Sequence, residues 1–224
     1  MWVRIPPAAP IPPVLDIVCR ASPPDASLCI DPRDVSDMYA YLLGLYLGDG
    51  MLTLAPRRVW RLRIVLDQRY PQVIERCQLA IAEVAYRSAG TIRKPGCFEV
   101  YSNWKHWLCV FPQHGVGAKH LRPIELAEWQ ESVVKAHPNE LIRGLVHSDG
   151  CRSLNRVRRP LRDGVREYAY PRYFFSNRSP DLLRLFATTC ARIGVDTRPD
   201  GPHMISVARR DSVAFLDTFI GPKR

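Results

Sequence analysis

From Asp37 onward the apolar positions change period several times, and each change marks an element. Trp60, Leu62, Ile64 and Leu66 alternate with Val59, Arg61, Arg63 and Asp67, a period of two that predicts a strand with one face inward and arginine outward. Residues 71–86 then carry Val73, Cys77, Ala80, Ile81 and Val84 along one helical stripe, with proline in the first turn, where its missing donor costs nothing. The same succession returns later. Tyr168, Tyr170 and Arg172 occupy one face of a strand and Tyr173 and Phe175 the other, followed by a helix over 180–193 with Leu182, Leu183, Phe186 and Cys190 inward. Second hairpins are expected at 91–102 and 195–208.

Ahead of each first hairpin stands an apolar nonapeptide: LLGLYLGDG at 42–50 and IRGLVHSDG at 142–150. They share Gly-Leu at the centre and Asp-Gly at the end, and Asp49 and Asp149 lie 100 positions apart. Each copy therefore reads αββαββα, predicting an α+β fold of two pseudo-symmetric repeats with antiparallel sheets. The first repeat spans 37–111 and the second 137–224, joined by a linker (112–136) with its own helix over 123–135. Residues 1–36 hold eight of the twenty prolines, which remove backbone donors and block helix interiors, so this stretch is expected to be an extended or disordered arm.

Composition sharpens the question of partners. The 224 residues are 46% hydrophobic, enough for a core, and carry a net charge of +10. Arginine supplies 27 of the 32 basic residues, which favours planar, bidentate contacts to phosphate and base edges. An extended polyanion is the partner that this implies. No apolar run approaches the roughly 18 residues of a membrane span. The N-terminus lacks an apolar leader core, and seven cysteines without a CxxC pair fit reduced thiols, so a cytoplasmic location, open to a nucleoid in a prokaryote, is expected.

The nonapeptides carry the candidate chemistry. Small residues four apart, Gly44 and Gly48 in one copy and Gly144 and Ser148 in the other, allow two helices to approach backbone to backbone. Such a crossing brings Asp49 and Asp149 to one end. Both acids then face the negative end of a helix dipole and each other, a double cost that divalent cations would relieve. Hard oxygen ligands completed by water and phosphate point to magnesium, and metal-bound water beside a phosphodiester to hydrolysis. Asp-Gly after one apolar helix is commonly just a turn; the pairing is what raises the motif above it. Cys97, His106, Cys109, His114 and His120 match no standard zinc spacing. The segment FPQHGVGAKHL (111–121) reads first as linker, although its glycines would let backbone approach a phosphate beside Lys119 and His120.

In these motifs residues 37–224 resemble the LAGLIDADG homing endonucleases, in their single-chain, two-motif form. The resemblance implies a monomer that cuts both strands of a long, non-palindromic DNA duplex, with the motif helices at the central interface and the sheets as saddles. It implies Asp49 and Asp149 as catalytic metal ligands, with the carbonyls of Gly48 and Ser148 assisting, the metal being magnesium or another divalent cation, and no organic cofactor. DNA contacts then fall on Arg57, Arg58, Arg61, Arg63, Arg152, Arg156, Arg158, Arg159, Arg162, Tyr168, Tyr170 and Arg172. A basic or polar residue near the end of each repeat's last strand is expected by the hydrolytic water: Asn103 or Lys105 in the first repeat and Arg209 or Arg210 in the second, with Lys105 and Arg209 preferred. The chain departs from the family at the motif's earlier acid, replaced by Leu47 and His147, and Ile142 and Arg143 are atypical of a buried motif helix. A DNA-binding regulator without cleavage, or an RNA maturase, would use the same scaffold.

Overall fold

The structure, a computed structural model, describes residues 36–224 except 163, 222 and 224. The proline-rich arm, apart from Ser36, lies outside the described residues. Helix α1 (Asp37–Asp49) starts where the Ser36 hydroxyl accepts the Met38 amide proton. Its residues Tyr39 to Leu47 are all buried, as an unbroken apolar run requires. Gly50 ends it and opens β1 (Gly50–Ala55), which a short 3-10 turn at Pro56–Arg58 joins to β2 (Val59–Asp67). Next come α2 (Pro71–Ala85), β3 (Gly90–Lys94), β4 (Cys97–Trp104) and α3 (Trp107–Val110). Helix α4 (Glu128–Ala136) lies in the connection and starts five residues later than the sequence suggests. The stretch after Pro123 is extended, and Gln130 at N3 reaches back to the Ala127 amide.

The second repeat answers in the same order: α5 (Pro138–Asp149), β5 (Gly150–Leu161), β6 (Gly164–Ser176), α6 (Pro180–Arg192), β7 (Arg198–Pro199), β8 (Met204–Val207) and α7 (Arg210–Asp217). Both sheets are four-stranded and antiparallel, ordered β1-β2-β4-β3 and β5-β6-β8-β7. In the first sheet Leu62 and Ile64 are fully buried, while Arg61 and Arg63 stand opposite Asn103 and Tyr101 on the other face. In the second, Tyr173 and Phe175 are buried, and Phe175 stacks on Phe186 of α6 with ring centroids 4.6 Å apart. Each sheet thus has a helix-covered face and an open one. Among the described residues no helix is long and apolar enough to cross a membrane.

The sheets differ in reach. Strands β5 and β6 pair along their whole lengths from Gly150↔Phe175 to Leu161↔Gly164, but β6 meets β8 only at Tyr173 to Ser176. The outer part of this hairpin is a two-stranded ribbon beyond the sheet, without a counterpart in the shorter β1–β2 pair.

Candidate active site at the paired helix ends

Helices α1 and α5 cross at their glycines. A Cβ placed on Gly44 would lie 2.7 Å from the Leu141 carbonyl oxygen, and one on Gly144 would lie 2.2 Å from the Tyr41 carbonyl oxygen. Those obstacles are backbone and cannot rotate away, so the close approach excludes any side chain at either position. One turn further on, a Cβ on Gly48 would sit 2.2 Å from the Ser148 hydroxyl oxygen and 2.8 Å from Oδ2 of Asp149. The four small residues thus form the seam the sequence predicts, and the seam brings Asp49 and Asp149 to the same end.

The two acids are not equivalent. Burial, reinforced by the charge of Asp149, pushes Asp49 up to about 6 against the partial opposition of Lys223 and Lys119. Asp149 is also raised by burial, but Asn177 donates from Nδ2 to its Oδ2 at 2.7 Å and restrains the shift. Among the described residues, no side chain does the same for Asp49. Its compartment is lined by Leu66, Asp67, Tyr70, Val73, His147, Ser148 and Lys223. That of Asp149 is lined by Leu47, Gly48, Lys119, His120, Ser176, Asn177, Arg178 and Leu182. Both repeats contribute walls to both compartments.

The basic groups beside the acids are Lys119 and Lys223. The Lys119 ammonium group shares its protons among the carbonyl oxygens of Tyr46, Leu47, Gly48 and Gly50, at 2.6 to 2.9 Å, and so caps α1. Lys223 donates to the carbonyls of His147 and Ser148 at 3.0 and 2.7 Å and caps α5. Burial lowers both lysines, Lys119 to about 8, while the two aspartates pull them back up. The Gly48 and Ser148 carbonyls, expected as assisting metal ligands, are therefore already engaged by ammonium groups.

Lys105 and Arg209 are not the groups that the structure brings to the acids. Lys105 is exposed in the turn after β4, and Arg209 immediately precedes α7, its side chain paired with Asp196 at 2.6 Å on the surface. Neither lines the compartment of either acid, and the chain reaches those compartments with Lys119 and Lys223 only after the closing helix of each repeat. A signal was available. The chain has five lysines, and Lys119 and Lys223 follow their motif aspartates by 70 and 74 positions, each beyond the closing helix of its repeat. Asn177 had no comparable mark.

The open faces hold part of the expected basic set. Arg61 donates to Asn103 Oδ1 at 2.9 Å and lies over the Tyr101 ring, and Arg63 forms a two-bond pair with Glu99. Arg57 is exposed in the β1–β2 turn with φ 63°, and Arg162 is exposed at the tip of the ribbon; the side chain of Arg58 lies outside the described residues. On the ribbon, strand parity divides the set. Arg159, Tyr168, Tyr170 and Arg172 share the open side, and the two tyrosine rings stack with centroids 6.1 Å apart. Arg152, Arg156 and Arg158 lie on the side of Tyr173 and Phe175. Arg152 clasps Asp217 of α7, and Arg156 and Arg158 share Glu167 across the hairpin.

Two acids at the meeting ends of paired helices, between two saddle-like sheets, define the two-motif LAGLIDADG fold. No protein-family model matches the chain, nor does any curated protein. Among solved structures it is similar to the LAGLIDADG meganuclease I-AabMI bound to uncleaved DNA, with 12% identity, a TM-score of 0.51 and 83% of each chain covered. It is similar to an I-DmoI variant in complex with nicked target DNA in the presence of manganese, at 17% identity and a TM-score of 0.51, covering 84% of this chain and 98% of that one. The N-terminal LAGLIDADG domain of DUF199/WhiA is a third, at 12% identity and a TM-score of 0.50, with 84% and 82% covered.

A divalent cation fits the donors present. Burial and the neighbouring carboxylate push Asp49 up to about 6 despite Lys119 and Lys223, a cost that a cation held between the two acids would relieve. Among the described residues no group of three or more His, Cys, Asp or Glu side chains forms a metal cage, so water and phosphate oxygens would complete the shell, as magnesium prefers.

Proposed function

We propose that this chain is a site-specific DNA endonuclease that hydrolyses both strands of a long, non-palindromic duplex with a divalent cation, most naturally magnesium, acting as a monomer. The observation that carries this reading is the convergence of Asp49 and Asp149 at the open end of a glycine seam between two sheets whose outer faces carry arginine. The DNA in the I-AabMI and I-DmoI structures supports it.

In this reading Asp49 and Asp149 hold the cation. When bound, the cation polarises the phosphodiester and acidifies water. Lys119 and Lys223, fixed by helix carbonyls, add positive charge where a phosphate would enter and balance the anionic transition state. Asn177 orients the Asp149 carboxylate. The open sheet faces grip the duplex on either side: arginines on phosphates give salt-dependent affinity, and outward strand residues read bases. Two unequal repeats remove any need for a palindromic target.

A plasmid carrying the DNA that flanks the gene, incubated with and without magnesium, tests the reading. Magnesium-dependent linearisation is expected, with Asp49→Asn and Asp149→Asn each lowering cutting at least 100-fold while binding stays within about threefold. Tight binding by the unsubstituted chain without cutting would make it a regulator instead, and magnesium-dependent rescue of intron splicing a maturase.

A further inference from the structure

Two departures from the motif pattern, Arg143 and His147, lie one turn apart on α5 and face the same segment. Arg143 donates from Nε to the Phe219 carbonyl oxygen at 2.6 Å. Its guanidinium is fixed by Glu140 at 2.5 and 2.6 Å, and Glu140 in turn by Arg76 at 2.9 Å. His147 is 2 % exposed and bridges two partners: its Nε2 lies 2.8 Å from the Ile220 carbonyl oxygen and its Nδ1 3.0 Å from the Tyr41 hydroxyl. A carbonyl only accepts, so Nε2 carries the proton and donates to Ile220, while the tyrosine hydroxyl donates to Nδ1. Three residues beyond Ile220, Lys223 caps the same helix and lines the Asp49 compartment.

The first repeat does this differently. Leu43 and Leu47 stand where Arg143 and His147 stand, both fully buried and without a donor to offer a backbone carbonyl. Lys119 is delivered by a loop that folds around Arg122, whose Nη1 donates to the carbonyls of Gly115 and Gly117 at 2.6 and 2.8 Å. Two repeats with one architecture thus present the same ammonium group by unlike means.

We propose that Arg143 and His147 are positioning residues that fasten the segment after α7 to α5, and so set Lys223 in the Asp49 compartment. This rests on the nuclease reading only in assigning Lys223 a part in cutting; the fastening itself is independent of it. His147 takes the place of the motif's earlier acid because a donor aimed at a backbone carbonyl is needed there, which leucine and aspartate both lack.

Two measurements on the full chain test the proposal. Hydrogen exchange at the Phe219 and Ile220 amides, both bonded to the Leu216 carbonyl, should accelerate at least tenfold in His147→Leu and in Arg143→Met. It should stay within threefold of the unsubstituted rate in His147→Gln, whose amide nitrogen can reach the Ile220 carbonyl. On a duplex labelled on both strands, His147→Leu should slow cutting of one strand at least tenfold and the other less than threefold, with His147→Gln restoring the slow strand. Unchanged exchange in both His147→Leu and Arg143→Met, or equal slowing of both strands, overturns the proposal. Cutting of neither strand by the unsubstituted chain overturns the nuclease reading, while the exchange result still decides the fastening.

Discussion

At Glu99 a single buried carboxylate holds two cations on the open face of the first sheet. Arg63 pairs with it through two bonds at 2.7 and 2.8 Å, and Lys94 is its second partner. These contacts, Arg63 first, pull Glu99 down from 4.5 to about 2 against the opposing effect of burial. A depressed carboxylate contributes stability that is complete above its unfolded value, near 4.5, and is lost as pH falls through about 2. Glu99→Gln is therefore expected to cost about 1–2 kcal/mol at pH 7, discounted for the exposure of both cations, with the difference closing below pH 2. Urea unfolding of both proteins at pH 7, 4 and 2 checks it. The same change frees Arg63, so a gain in DNA affinity alongside a loss in stability would tie the pair to the interface. The sequence showed the alternation that turns Arg63 outward but not its partner, because the pairing crosses from β2 to β4 and depends on register.

At the level of elements, the seam between α1 and α5 decides whether the acids meet. Gly144→Ala places a methyl group 2.2 Å from the Tyr41 carbonyl oxygen, and Gly44→Ala places one 2.7 Å from backbone atoms of Leu141 and Leu145. Overpacking against backbone costs about 3 kcal/mol or more, since neither helix can shift without parting the other contacts. Gly96→Ala is the control: its φ of 76° taxes any side chain, but nothing lies within 4 Å, so a loss of about 1–2 kcal/mol is expected. Thermal unfolding should rank Gly144→Ala below Gly44→Ala, and both below Gly96→Ala.

The seam, both sheets and the order of elements were legible because apolar periodicity and glycine spacing are local signals. The partners of the acids were not. Lys119 and Lys223 approach from loops whose path follows from packing, and the bonds that guide them are made by carbonyls, which leave no mark on a sequence. Strand ends were visible, and so Lys105 and Arg209 were the natural candidates; the chain turns back to the seam only after another helix.

Across the whole molecule the net charge of +10 is distributed unevenly. On the second hairpin it divides between an open side, with Arg159, Arg166 and Arg172, and a side where Arg152 pairs with Asp217 and Arg156 and Arg158 share Glu167. If the open faces bind DNA as proposed, Arg166→Ala and Arg172→Ala should each weaken binding and reduce the slope of log affinity against log salt by about 1. Arg156→Ala should leave affinity within about twofold. Filter binding across 50 to 300 mM salt distinguishes the sets, and equal effects from both sides would count against this division.

The outer ribbon pairs only with itself, since β6 meets its sheet neighbour solely at Tyr173 to Ser176. Cross-strand pairs can therefore be added or removed at its tip in twos without disturbing the seam, the acids or their lysines. At roughly 3.3 Å per residue, each added cross-strand pair lengthens the ribbon by about one base-pair step along a groove, and each set of two by about two. If the open faces bind DNA as proposed, the extent of recognition is in this way uncoupled from the chemistry, and the target can change by trimming or growing one fingertip.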